Sequence, residues 1–218
     1  MRFKFTKYIL LFVFLLFVCS AASFAEDLQY WSTWSFAHDI SDKQQVSALI
    51  EIYFKNNMKN DYVYDEYLSY SQKLDMGFAW QGQLYFEGAK ASDDKWIMTR
   101  SLVAGLSYSK EISNICTVKL EDRFFYKINS PAGWDYHRPR IYLTKDLGKI
   151  KFILSDEIRI DLSGARADAF YRNRIYLTAL LKASPSLQLG LGLLRQSDKV
   201  GADWQSFNGI QSFVNVNL

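Results

Sequence analysis

Four runs in the second half of the chain carry acidic and basic side chains at every second residue. They read TVKLEDRFFYK (117–127), HRPRIYLTKD (137–146), KFILSDEIRID (151–161) and YRNRIYLTAL (171–180). Carboxylate and guanidinium groups at this spacing can form ion-pair ladders or bind anions if they share one surface. The chemistry therefore depends on how these runs are folded.

A β-strand would give each run one charged face and one apolar face. Successive side chains of a strand point to opposite faces, so residues two apart share a face. The second run then sets Arg138, Arg140 and Tyr142 against Ile141 and Leu143. The last run has two faces in the same way. One face carries Arg172, Arg174, Tyr176 and Thr178, and the other carries Tyr171, Ile175, Leu177 and Ala179. A soluble β-sandwich also alternates in this way, so alternation alone does not decide the fold.

The connections between strand-like runs alternate in length, and this pattern favours a membrane barrel. Seven further runs bring the total to eleven candidate strands. Short turns are predicted at 74–75, 111–114, 146–149 and 182–185, and longer polar loops at 88–95, 129–136, 162–167 and 197–203. Strands of about ten residues match the thickness of a bilayer, and short turns on the periplasmic side are typical of transmembrane barrels. An exported soluble sandwich is the alternative.

The sequence thus predicts an all-β, transmembrane, antiparallel up-and-down barrel of 10–12 strands, with short periplasmic turns and longer extracellular loops. The barrel domain is predicted to span residues 26–218. Ten spanning strands run from Val46 to Leu218 when they are counted back from a periplasmic carboxyl terminus. The segment 26–45, which contains the run LQYWSTWSFA (28–37), is left over as an extra strand, a plug or half of a hairpin.

Residues 1–25 are predicted to be a signal peptide that is cleaved after Ala25. Three basic residues precede an apolar run from Tyr8 to Val18, and SFA (23–25) offers a small-x-small cleavage pattern. Removal of this segment leaves 193 residues with 23 basic and 23 acidic side chains. The zero net charge gives no support for nucleic-acid binding. With Cys116 as the one remaining thiol, no intrachain disulfide is expected.

The mature sequence resembles a family of Gram-negative outer-membrane barrels known as domain of unknown function 2490. The resemblance rests on Trp31, on the glutamate-bearing run LIEIYF (49–54), and on EDRFF, HRPRIYL, DEIRI and YRNRIYL. It implies a barrel in the outer membrane and no established activity, so no catalytic residue is carried over. The expected partners are outer-membrane lipid and lipopolysaccharide, with the barrel assembly machinery during biogenesis.

Charged side chains near the middle of a membrane barrel are expected to face the lumen, because an outward Arg or Lys at the midplane costs on the order of 2–4 kcal/mol. The predicted lumen network comprises Glu51, Glu121, Arg123, Arg138, Arg140, Glu157, Arg159, Asp161, Arg172 and Arg174. Each of Arg138, Arg140, Arg172 and Arg174 is expected near Glu121, Glu157 or Asp161. The favoured interpretation is a structural or interaction barrel filled by this network. The alternative is a small anion-leaning pore.

Catalysis is the least favoured interpretation. His137 shares parity with outward residues, beside Ser130 and Asp135 of the adjoining loop, which is where a lipid-modifying barrel would need its nucleophile and base. An aromatic girdle with Trp134 and Tyr136 is the simpler explanation for this histidine. The sequence has no cluster at metal-ligand spacing and no glycine-rich phosphate loop, so neither a metal nor a cofactor is predicted.

Overall fold

Twelve β-strands make up almost all of the described chain. The computed structural model describes residues 28–55, 60–91, 95–112, 115–129, 133–164, 166 and 169–218. The strands are β1 (Leu28–Ser41), β2 (Gln44–Lys55), β3 (Asn60–Lys73), β4 (Phe78–Lys90), β5 (Trp96–Ile112), β6 (Cys116–Lys127), β7 (Gly133–His137), β8 (Arg140–Asp146), β9 (Ile150–Asp161), β10 (Phe170–Lys182), β11 (Leu187–Val200) and β12 (Asp203–Asn217). A single turn of 3₁₀ helix, Asp75–Gly77, joins β3 to β4.

The strands close into a barrel whose wall is eleven strands around. Strands β7 and β8 both lie between β6 and β9, end to end, and together form one wall position. Neighbouring strands are antiparallel except at the closing pair, where β1 runs parallel to β12 from Leu28 opposite Asn208 to Ala37 opposite Asn217. The predicted barrel class and strand number are confirmed. The parallel closure departs from a strictly antiparallel barrel because an odd number of wall strands must bring two of the same direction together.

The amino-terminal run that the sequence left unplaced is a full wall strand. Strand β1 pairs with β2 through the short turn at Asp42 and Lys43, so the first hairpin of the barrel begins at Leu28. One predicted long loop is wrong: residues 197–200 continue β11, and the connection to β12 is the two-residue turn Gly201–Ala202. The predicted signal peptide lies outside the described residues.

The two ends of the barrel differ in their connections. At one end, here called the turn end, the strands are joined by two to four residues, and β12 finishes there. At the other, the loop end, connections range from two residues to the eight of 162–169. The predicted alternation of short and long connections therefore holds except at 201–202 and at 56–59, which is no longer than the longest connections of the turn end.

The outer face is apolar and carries aromatic pairs near both ends. Large aliphatic side chains point outward and are exposed on adjacent strands, for example Leu68, Leu84, Leu102 and Leu120. Cross-strand ring pairs lie toward the loop end at Tyr30–Phe54, Tyr64–Trp96, Tyr126–Trp134 and Phe170–Trp204, and toward the turn end at Tyr70–Trp80 and Phe78–Tyr108. Such contacts stabilise neighbouring strands, and bands of rings at two levels are typical of membrane barrels.

Among the described residues, none forms a helix long and apolar enough to cross a membrane. Cys116, at the start of β6, is a free thiol.

Candidate functional site

A layer of buried side chains crosses the barrel interior. Strands around the whole wall contribute inward-facing side chains to it, apolar, polar and charged. In chain order, these are Trp31, Tyr53, Tyr67, Tyr85, Val103, Phe125, Tyr136, Glu157, Arg174, Leu194 and Gln211. They form two apolar clusters joined to a set of buried charges. The interior of this barrel is therefore packed at this level like a protein core.

Glu157 lies at the centre of the charged part of this layer. Its side chain is 0% exposed. Its carboxylate lies 3.6 Å from Arg138 Nε, 3.6 Å from Arg159 Nε and 3.5 Å from Arg174 Nη1, and it also contacts Arg140. We call these five residues the arginine cluster. Four cations share one buried anion, so the cluster carries a surplus of positive charge.

Each arginine of the cluster also lies over an aromatic ring. The guanidinium of Arg138 is 5.0 Å from the centre of the Phe125 ring, and that of Arg159 is 4.9 Å from Tyr136. A further two contacts complete the set: Arg140 over Tyr176 at 5.0 Å and Arg174 over Trp31 at 4.8 Å. Cation–π contacts of this kind partly replace the hydration that a buried guanidinium loses. These rings have the same parity as the charges but were not predicted as their partners.

Glu121 organises a second group of charges next to the cluster. It accepts a hydrogen bond from Lys119 Nζ at 2.6 Å and lies 3.0 Å from Arg123 Nε. The Tyr142 hydroxyl donates to Glu121 at 3.2 Å and accepts from Arg140 Nη1 at 3.2 Å. Tyr142 thus connects the second group to the arginine cluster.

Arg172 is paired differently from the prediction. Its guanidinium contacts both oxygens of Asp198 on β11, at 2.5 and 3.1 Å, instead of Glu121, Glu157 or Asp161. A register shift between Phe170 and Arg172 also turns Tyr171 inward, where it packs near Tyr136. The predicted opposition of Tyr171 to Arg172 is therefore wrong, because strict alternation fails at this bulge.

A double-mutant cycle should detect this pairing. Arg172→Ala and Asp198→Ala should be non-additive by roughly 0.5–1 kcal/mol, as expected for a bidentate pair that is about one-quarter exposed. Arg172→Ala and Glu157→Ala should be additive, since the two side chains have separate partners. Thermal melts of the unmodified protein, the three single variants and the two double variants in detergent measure both coupling energies. Coupling to Glu157 instead of Asp198 would show that the register of β10 is different.

Asp161 lies outside the arginine cluster. Its carboxylate accepts hydrogen bonds from Ser163 N, Ser163 Oγ and Arg166 N at 3.3, 2.6 and 3.4 Å. These are the contacts of a residue that closes the turn after β9. Asp161 lies opposite the inward-facing Tyr136 at the end of β9, so its predicted face is not contradicted. Its expected pairing with the lumen arginines is wrong, because its contacts are with the turn.

Three carboxylates face one another on the opposite part of the wall. Glu51, Asp65 and Glu87 are direct cross-strand neighbours on β2, β3 and β4. The Tyr53 hydroxyl lies 2.8 Å from both Glu51 and Asp65, and the Tyr85 hydroxyl lies 2.9 Å from Asp65 and 2.6 Å from Glu87. Two hydroxyl protons therefore serve four carboxylate contacts. We call Glu51, Asp65 and Glu87 the carboxylate row; of these, Glu51 alone was predicted as a site residue.

Asp65→Asn should raise the melting temperature at neutral pH, by the equivalent of roughly 1 kcal/mol, because like charges directly opposite one another destabilise a sheet. The new amide would also supply donors to the flanking carboxylates. Tyr85→Phe should act in the opposite direction, since it removes one of the two donors. If Asp65→Asn is instead strongly destabilising, a cation must balance the negative charge of the carboxylate row.

A cavity of about 800 Å³ fills the interior between the buried layer and the turn end. We call it the vestibule. Lys73 and Gly77 lie at its mouth, and Arg138, Arg140 and Arg174 lie at its floor. Its walls are mostly hydroxyl and amide side chains. The charged floor and the polar wall are the parts of the interior that a solute entering from the turn end would meet.

The outer face carries carboxylates that were not assigned from the sequence, among them Asp122 and Asp156. Asp122 Oδ1 lies 3.3 Å from His137 Nδ1, and the His137 ring stacks on Phe124. Asp156 accepts a hydrogen bond from Asn173 Nδ2 at 2.5 Å. His137 is therefore paired with Asp122 and not with Asp135, which lies 3.8 Å from Lys127. Tyr136 is buried inside the barrel and cannot belong to an outer girdle. Ser130 lies outside the described residues.

The described part of the chain holds no group of three or more histidine, cysteine or acidic residues arranged to bind a metal ion. No family model matches the chain, and no curated protein matches its sequence.

The fold is similar to that of a solved porin. The structure described as the NanC porin in a rhombohedral crystal form matches with a TM-score of 0.55 and 13% sequence identity, over 88% of this chain and 99% of that chain. At this level of identity the likeness concerns the fold alone. The chain has a porin-like β-barrel fold.

Proposed function

We propose that the protein is an outer-membrane barrel whose interior is closed by side chains, so that it serves as a structural or binding barrel instead of an open pore. The observation that carries this proposal is the buried layer, with Glu157 fully enclosed among four arginines and their aromatic partners. A water-filled channel would leave such groups hydrated.

The outer surface supports the membrane location. An apolar face with aromatic pairs near both ends suits a bilayer, with its contacts to outer-membrane lipid and lipopolysaccharide. Export through a signal peptide that is cleaved after Ala25 belongs to the same proposal, as does insertion by the barrel assembly machinery. Membership of the domain of unknown function 2490 family stays a prediction.

Liposome swelling tests the closed interior. Liposomes that contain the purified protein should swell in iso-osmotic sugar no faster than liposomes without protein, whereas a general porin measured in parallel should accelerate swelling. Swelling at the porin's rate would contradict the proposal.

A small anion-leaning pore is the second candidate, and the vestibule is the observation that favours it. Lys119, Arg123 and the floor arginines line its inner end. Under this alternative, the purified protein conducts ions, and its reversal potential in a salt gradient indicates selectivity for anions. Lys119→Glu should then shift that potential toward cations without changing the melting temperature much.

We propose no catalytic role. His137 has Asp122 as its partner and Phe124 stacked against it, and this geometry is satisfied without a nucleophile. Lipid mass spectrometry of cells with and without the protein tests this point, since a lipid-modifying enzyme would change the acyl composition of the outer membrane.

A further inference from the structure

The vestibule has the size and the open end of a ligand site. Its volume of about 800 Å³ falls in the range of small-molecule pockets, which is roughly 300–1,000 Å³. It opens at the turn end and ends at the buried layer. A solute that enters would therefore be held, not passed through.

The inner end of the vestibule is cationic beyond what its carboxylates balance. Five cations line it, namely Lys119, Arg123, Arg138, Arg140 and Arg174. Glu121 and Glu157 are their ion-pair partners, and Glu51 also lines the cavity, so five cations face three carboxylates. The Nε atoms of Arg138 and Arg140 are buried and donate no hydrogen bond to any described residue. A bound anion would supply the missing charge and acceptors.

The wall adds neutral polar groups that suit hydroxyls. Ser47, Ser69, Ser107 and Thr178 present hydroxyls to the cavity, and Gln83 and Gln211 present amides. The side-chain oxygens of Gln83 and Gln211 are buried and accept no hydrogen bond from the described residues, and Gln211 is only 2% exposed. A buried acceptor without a donor is costly, so a ligand hydroxyl at either oxygen would be favourable.

We propose that the vestibule binds a small, polyhydroxylated anion, a sugar acid or a sugar phosphate, with its charge on the arginine floor and its hydroxyls on the serine and glutamine wall. The proposal extends the closed-barrel function and rests on it, because the buried layer forms the floor of the vestibule. The carboxylate and phosphate forms share this chemistry, and titration with each distinguishes them.

Isothermal titration of the purified protein in detergent tests the site. Glucuronate, glucose 6-phosphate and neutral glucose serve as probes. At least one of the two anions should bind saturably and more tightly than glucose, and added salt should weaken that binding. Equal binding of glucose, or no saturable binding of either anion, would overturn the proposal.

Two variants connect the binding to the vestibule. Lys119→Gln should weaken the preferred anion about tenfold, as expected for the loss of one charge-assisted contact. Gln211→Leu should weaken it while leaving binding of inorganic phosphate unchanged, because that residue is expected to contact hydroxyls. Lys149→Gln, in the exposed turn after β8, is the matched control and should bind like the parent. An unchanged affinity in Lys119→Gln would refute the site, and melting temperatures confirm that each variant is folded.

Failure here is distinct from failure of the closed interior. Anion binding together with rapid swelling would leave the site in place within a pore. Absence of both binding and swelling would refute the ligand site and leave the closed barrel intact.

Discussion

Glu157→Gln should lower the melting temperature of the barrel more than any other single change of a carboxylate to an amide. The side chain is fully buried and is shared by four arginines. Its neutralisation leaves four guanidinium groups to repel one another, at a cost of about 3–5 kcal/mol for an uncompensated buried charge. Thermal melts in detergent, followed by the loss of β-sheet circular dichroism, measure the effect.

Glu111→Gln is the matched control for that change. Glu111 is exposed near the end of β5, so its neutralisation should leave the melting temperature almost unchanged. The comparison with Asp65→Asn is sharper still, because that buried carboxylate faces two others and should respond with the opposite sign. Equal destabilisation by Glu157→Gln and Asp65→Asn would mean that burial, and not the surrounding charge, determines both effects.

Trp31→Ala should also lower the free energy of unfolding of the barrel strongly. The indole is 2% exposed and lies 4.3 Å from the Tyr53 ring in an edge-to-face contact. The Arg174 guanidinium lies over its face. Truncation of a buried tryptophan costs about 3–5 kcal/mol, and this one would also remove the aromatic partner of a buried cation.

Trp34→Ala provides the matched control on the same strand. Trp34 lies three residues further along β1, faces outward and is 43% exposed. Its truncation should cost much less than that of Trp31. Equal losses would indicate that β1 is not a wall strand with alternating faces, and would return the amino-terminal segment to the plug or hairpin alternatives.

The fold could be predicted because membrane barrels repeat one simple physical pattern. Outward leucines alternate with inward polar residues on strand after strand, and short turns recur at one end. The placement of β1 could not be predicted, since its closing partner β12 lies at the far end of the chain and runs parallel to it. Sequence alternation contains no information about which strand completes a ring.

The candidate site was only partly predictable. Parity put Arg138, Arg140 and Arg174 on the face of Glu157, and the structure brings these four together. Parity could not choose between Glu157 and Asp198 as the partner of Arg172, because this depends on register across two hairpins. The carboxylate row was missed for the same reason. Asp65 lies in a run whose alternation is less regular, and its proximity to Glu87 follows from register alone.

Single-channel recording in planar bilayers tests the closed interior most directly. The protein should give no steady current, because the buried layer crosses the whole interior. A variant that combines Tyr85→Ala, Phe125→Ala and Tyr136→Ala removes the Phe125 ring and the two tyrosine rings that contact it, and should open a measurable conductance if it still folds. A steady open current from the unmodified protein, unchanged by removal of the three rings, would contradict the account.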